Sequence, residues 1–307
     1  MSQPIHPSAA IGRPVRIVSI SFPVGRTLPE IARVVEGEAA QGTDLIALPE
    51  TWLGQEGHQP EALHGPTVTT IAALARKHRT YVVCPIDRLA GGRRLNSAVL
   101  LDRRGDIACV YDKVYPYWSE YDVTPPVQPG ADLPVHDADF GRVGMAICFD
   151  VNFPALWQRL ADQGAELVVW SSAYSAGTSL QAHALNHHFA IVTATQVSDC
   201  IVYDITGQEI CCQSGDDLNV TRITLDLDRG IYHENFNMER RERLLAEHPD
   251  EVTVEQHLPR EQWFVLRALR PGVSARALAH EYGLEELRDY LDRSRRQIDV
   301  RRGLPLA

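Results

Sequence analysis

VRIVSISFPVGRTLPEIARVVEGEAAQGTDLIALPE, residues 15–50, decides the fold class of this chain. It opens on VRIVSIS, an apolar, β-branched run with the character of a strand. In PEIARVVEGEAA, Ile31, Val34 and Val35 then recur at helical spacing, and DLIALPE returns to a short apolar run that stops at Pro49 and Glu50. Strand, helix and strand in that order predict a helix packed on a sheet. The pattern continues outward. VTTIAALARKHR (68–79) reads as a helix, and TYVVCPID (80–87), NSAVLLD (96–102) and DIACVYDK (106–113) read as strands, the last two forming a hairpin. Five prolines fall within residues 114–139, which predicts a shaped functional loop. VGMAICFD (143–150), PALWQRLADQ (154–163) and ELVVWSS (166–172) restore strand, helix and strand. QAHALNHHF, AIVTATQ, CIVYDITGQEICC and NVTRITLDL carry the alternation to residue 227. An α/β fold of helices layered on sheets is expected.

Composition narrows the function. With 40 acidic and 30 basic residues the formal net charge is -10, which opposes binding to phosphate backbones, so no nucleic-acid partner is expected. The longest apolar runs fall well short of the roughly 20 residues that cross a bilayer, so no membrane span is expected. The first fifteen residues contain no continuous apolar segment, which predicts no secretory leader and a cytoplasmic location. Six cysteines, Cys84, Cys109, Cys148, Cys200, Cys211 and Cys212, lack the paired spacing of a zinc site. His183 and His187 share a helix face beside His188, but no nearby acid completes a ligand set. Neither a metal nor an organic cofactor is expected.

Three strand ends carry chemistry. Cys148 ends VGMAI at the turn before a helix, where a sulfur at the carboxyl end of a strand can act as nucleophile and the Phe149 N–H can face an oxyanion. A cysteine there is also an ordinary packed thiol. Glu50 ends DLIALPE, a position suited to moving protons between a thiol, a leaving amine and water; capping a loop amide is the plainer role. Lys113 ends DIACVYD and brings a cation that can hold a negative oxygen, with Glu120 seven residues later; a surface ion pair is the plainer reading. Tyr117, Trp118, Asn152, Ser172 and Tyr174 sit beside these residues and are candidate substrate contacts.

Taken together, LIALPETW around Glu50, YDKVYPYWSE around Lys113 and Glu120, and GMAICFDVNFP around Cys148 resemble the nitrilase superfamily of carbon-nitrogen hydrolases, with further similarity in VVWSSAY and IVYDITGQEI. The resemblance implies a four-layer αββα sandwich, a Glu50-Lys113-Cys148 triad assisted by Glu120, and assembly as a homodimer or higher homo-oligomer. It also implies a small-molecule substrate, an amide or N-carbamoyl amine before a nitrile, cleaved through a cysteine thioester. A catalytically inactive binding protein on the same fold is the rival from another class. Many relatives carry an arginine where this chain has Asn152 and a glutamate where it has Ala155; aliphatic amidase relatives share the asparagine.

The expected organisation is an N-terminal arm (1–13), a carbon-nitrogen hydrolase domain (14–236) and a helical C-terminal extension (237–307). In the extension, RERLLAEHPDE, EQWFVLRALR and SARALAHEYGLEELRDYLDRSRRQI read as charged helices, with Thr253 and Gln256 resembling a capping box. Trp263, Phe264, Leu266, Leu269, Leu287 and Leu291 require an apolar partner surface.

Overall fold

The structure, a computed structural model, describes residues 10–55 and 58–304. Two compact units are present, Arg16–Thr224 and a second that joins Leu225 onward with the residues up to Val15.

The larger unit is built on two six-stranded sheets. The first contains β1 (Pro14–Ser21), β2 (Leu45–Ala47), β3 (Tyr81–Ala90), β4 (Arg93–Leu101) and β5 (Ile107–Asp112). The second contains β6 (Val135–Ala138), β7 (Gly141–Ile147), β8 (Leu167–Ser172), β9 (Ala190–Thr195), β10 (Asp199–Tyr203) and β11 (Glu209–Ser214). β12 (Asn219–Asp226) returns to the first sheet, giving the orders β12-β1-β2-β3-β4-β5 and β11-β10-β9-β8-β7-β6. β1, β2 and β3 are mutually parallel, as are β7, β8 and β9. β4 runs antiparallel to both β3 and β5, so β5 points the same way as β2 and β3.

Alternation along the strands explains why their sequences read as unbroken apolar runs. On β1 to β4, Val18, Ile20, Ile46, Val82, Cys84, Val99 and Leu101, with Leu48 just past β2, pack against Ile31 and Val35 of α1 (Leu28–Ala39) and Ile71 and Ala75 of α2 (Pro66–His78). The intervening residues face the other sheet. There the Ser19 hydroxyl donates to the Thr193 carbonyl at 2.7 Å, the Ser21 hydroxyl accepts from the Thr195 N–H at 2.9 Å, and the Ser171 hydroxyl donates to the Leu48 carbonyl at 2.8 Å. Small hydroxyl side chains thus satisfy buried backbone groups across the sheet interface. On the far face, α3 (Pro154–Asp162) and α4 (Thr178–His187) complete the outer layer. Gly144 makes the close approach possible: a Cβ there would lie 2.8 Å from Leu160 Cδ2 of α3. The result is the expected four-layer αββα sandwich.

The smaller unit has its own core. The expected helices α5 (Met238–Glu247), α6 (Ala275–Glu281) and α7 (Leu287–Arg301) are present. Between them, however, EQWFVLRALR supplies a strand. β13 (Gly230–His233), β14 (Val252–Leu258) and β15 (Trp263–Ala268) form an antiparallel sheet in the order β13-β15-β14. Thr253 and Gln256 therefore lie within β14 and not at a helix start. Phe264 and Leu266 find their apolar partners here, packed with Leu244, Ala275 and Ala279, whereas Leu291 is exposed. No helix among the described residues is long and apolar enough to cross a membrane.

Ile46 is fully buried between α1, α2 and the sheet. Ile46→Ala is expected to lower the unfolding free energy by about 2–5 kcal/mol, read as a shift in the urea midpoint at unchanged slope.

Candidate active site

Parallel direction brings the three strand ends together. Glu50 follows β2 across Leu48 and Pro49, Lys113 follows β5, and Cys148 follows β7, so each leaves its sheet at a carboxyl end, where open α/β sheets place ligand sites. All three are buried, and with Glu120 they line a single cavity of about 460 Å³.

The centre of the site is the Lys113 ammonium. Its Nζ lies 2.8 Å from Glu50 Oε1 and 2.6 Å from Glu120 Oε2. Burial works against this charge, but the carboxylates of Glu50 and Glu120 outweigh it and raise the ammonium above the ordinary lysine range. The two carboxylates are held in turn. Asn96 on β4 donates one amide nitrogen to both, 2.6 Å to Glu50 Oε1 and 2.8 Å to Glu120 Oε1. The Ala173 N–H donates to Glu50 Oε2 at 2.9 Å, and the Tyr117 N–H to Glu120 Oε2 at 2.8 Å. Burial alone would raise Glu120; Lys113, Asn96 and the Tyr117 N–H outweigh it and hold the carboxyl below its usual range.

Cys148 opens a 3-10 turn, Cys148–Asn152, with φ of 46°, a left-handed conformation that side chains other than glycine's seldom adopt. Strain of this kind typically costs about 1–3 kcal/mol and persists where surrounding contacts enforce it. Here the Trp170 indole donates to the Cys148 carbonyl at 3.1 Å, and Asp150 accepts from the Ile147 N–H at 2.8 Å. Asp150 also accepts from the Tyr111 hydroxyl at 2.6 Å and the Tyr115 N–H at 3.1 Å. Burial, then the neighbouring Glu50, push the Cys148 thiol well above its ordinary range; Lys113, the Ala173 N–H and the Ser172 hydroxyl pull the other way without offsetting them. Burial thus favours the neutral thiol form of Cys148.

A second buried ion pair frames the cavity. Arg94 is bidentate on Asp87, at 2.9 and 2.6 Å, while donating to the carbonyls of Gln55 at 2.7 Å and Thr124 at 3.1 Å. Gln55 lines the cavity and its amide approaches Glu120 at 3.4 Å. One guanidinium thus ties two loops to the strand that carries Asn96.

A family model described as carbon-nitrogen hydrolase matches residues 18–230. The chain belongs to the carbon-nitrogen hydrolase family. It is 28% identical over 180 residues to a deaminated glutathione amidase of Yersinia enterocolitica, a match covering 51% of this chain and 63% of that relative. It is 31% identical over 163 residues to an (R)-stereoselective amidase of a Pseudomonas species, covering 50% of this chain and 58% of that relative. Less than two thirds of either relative is therefore spanned. Among solved structures, Saccharomyces cerevisiae Nit3, of the nitrilase superfamily, has a TM-score of 0.61 at 18% identity over 71% of this chain and 93% of its own. An amidase from a Nesterenkonia species has a TM-score of 0.61 at 19% identity over 71% of this chain and 92% of its own. At such identities the likeness concerns the fold.

In this carbon-nitrogen hydrolase, Glu50, Lys113, Glu120 and Cys148 converge. Of the five side chains read as substrate contacts, Tyr117 lines the cavity. Trp118 is 64% exposed, because neighbouring positions in the 3-10 turn Trp118–Tyr121 point in different directions. Asn152 turns back to the Phe149 carbonyl at 3.1 Å, and Tyr174 stands edge-on to Trp170. Ser172 is buried behind the sulfur and accepts from the Tyr174 N–H. The local sequence did not point to Asn96, Thr51, Leu53, Gln55, His58, Ala173 or Gln196, although a buried asparagine in the apolar strand NSAVLLD was a usable signal for the first. The histidines of α4 are otherwise engaged: His183 stacks on Trp157 at 4.4 Å with its Nε2 2.8 Å from the Val151 carbonyl.

Burial pushes Asp150 up to about 7 despite its donors. Between pH 4 and 7 the folded chain therefore binds more protons here than the unfolded chain, and the stability gained is lost as pH rises through that window. Asp150→Asn is expected to flatten this decline, worth at most roughly 1.4 kcal/mol per pH unit, in urea unfolding measured from pH 4 to 8. Arg94→Met, which strands Asp87, is expected to cost about 3–5 kcal/mol of stability on the same measurement.

Proposed function

We propose that this chain hydrolyses the C–N bond of a small amide or N-carbamoyl amine through a thioester on Cys148. The observation that carries the reading is the convergence of Glu50, Lys113 and Cys148 on one cavity, with Lys113 Nζ 2.8 Å from Glu50 and 2.6 Å from Glu120. Family membership and the amidases among its relatives support it. So does a variant of the Nesterenkonia amidase that carries the acetamide moiety of fluoroacetamide on its active site cysteine.

Because the resting thiol is raised, little thiolate exists before substrate binds. Glu50 takes the thiol proton as sulfur attacks the carbonyl carbon. The carbonyl oxygen becomes an oxyanion, held by the Lys113 ammonium and the Phe149 N–H, which lies in the first turn of its 3-10 helix, where N–H groups have no partner within the helix. The C–N bond breaks as Glu50 returns the proton to nitrogen, and ammonia or amine leaves. Water then gives a proton to Glu50 and attacks the thioester; the C–S bond breaks, the acid departs and the thiol re-forms. Glu120 keeps Lys113 aimed and charged throughout. Asn96 links the two carboxylates, so that the proton-moving group and the charge-holding group keep one geometry.

Cys148→Ala is expected to release no ammonia from amides, and Lys113→Ala to lose about 10²–10³-fold in turnover. Intact-mass spectrometry of acid-quenched wild type should find an acyl group on Cys148. Undiminished turnover in the Cys148→Ala variant ends the scheme.

A further inference from the structure

The charges around the cavity say which amides it can take. Lys113 is its one ammonium or guanidinium among the described lining residues, and that charge is already shared by Glu50 and Glu120 at 2.8 and 2.6 Å. Two nearby arginines hold ion pairs outside the cavity, with Arg26 Nε left buried and unpartnered. Arg26, beside the lining residue Gly25, pairs with Asp217, and Arg94, behind Gln55, pairs with Asp87. What remains on the walls is uncharged: apolar Val24, Leu53 and Tyr117, with the amides of Gln55 and Gln196. His58 is the one further nitrogen base there.

We infer that the substrate is a short amide without a carboxylate, its chain lying along Val24, Leu53 and Tyr117. This inference rests on the hydrolase reading and names its substrate class. A carboxylate brought into the cavity meets two carboxylates against one ammonium, with no second ammonium or guanidinium among the described lining residues to hold it. Placed about 6 Å from one uncompensated negative charge, it is disfavoured by on the order of a hundredfold. Recognition of a carboxylate takes a donor that is not already committed, ordinarily an arginine fork. The wall carries none among its described residues.

Succinamide and succinamate separate the alternatives, because they differ only in one terminal amide replaced by a carboxylate. At pH 8, kcat/KM for succinamide should exceed that for succinamate by about a hundredfold. Cleavage of succinamide makes succinamate, so ammonia release should stop near one equivalent. Comparable rates, or two equivalents released in one phase, overturn the inference and leave the hydrolase reading standing. Ammonia from neither compound overturns it too. The hydrolase reading falls with it only if no amide, butyramide included, leaves an acyl group on Cys148. In Leu53→Arg the ratio should shrink at least tenfold through faster succinamate cleavage, and an unchanged ratio in a folded variant counts against the charge argument.

Discussion

An ammonium buried between two carboxylates is the interaction around which the site is arranged. Taking three charges out of water is costly, and the cost is offset only where geometry and further hydrogen bonds are all in place. Lys113 meets that condition because β2 and β5 run the same way and end at the same edge, and because the 3-10 turn Trp118–Tyr121 within the proline-rich segment brings Glu120 back. The Asn96 amide and the N–H groups of Tyr117 and Ala173 complete the carboxylates. Removing any strand from this arrangement leaves a buried charge without its partner, so the catalytic geometry and the sandwich are specified by the same contacts.

Cys148 is positioned by a different kind of constraint. Its backbone is left-handed, and neighbouring groups enforce that conformation: Trp170 on its carbonyl, and Asp150 collecting donors from Ile147, Tyr111 and Tyr115. Asp150 is two residues from the sulfur and touches the cavity only through the shape of this turn. The raised thiol and the strained turn belong together.

Much of this was legible in the chain. Glu50, Lys113 and Cys148 each end an apolar strand within a distinctive local sequence, and parallel strands bring such ends to one edge, so a local reading sufficed. The cavity wall was less accessible. Asn96, Ala173 and Gln196 reach the site through pairing and packing between distant segments, which adjacency in sequence does not encode. The same limit explains Trp118, which neighbours Tyr117 in sequence yet faces solvent. EQWFVLRALR was misread for another reason. β15 is the central strand of its sheet and Trp263, Phe264, Val265 and Leu266 are all buried, so its apolar run lacks the two-residue alternation that separates a strand from a buried helix.

The charge pair and the sulfur come from opposite leaves of the sandwich: Glu50 and Lys113 from the first sheet, Cys148 from the second. One leaf by itself holds either a charge pair without the sulfur or a sulfur without the charge pair. Docking of the leaves, bridged by the hydroxyls of Ser19, Ser21 and Ser171, is thus also what brings the sulfur to the buried charges.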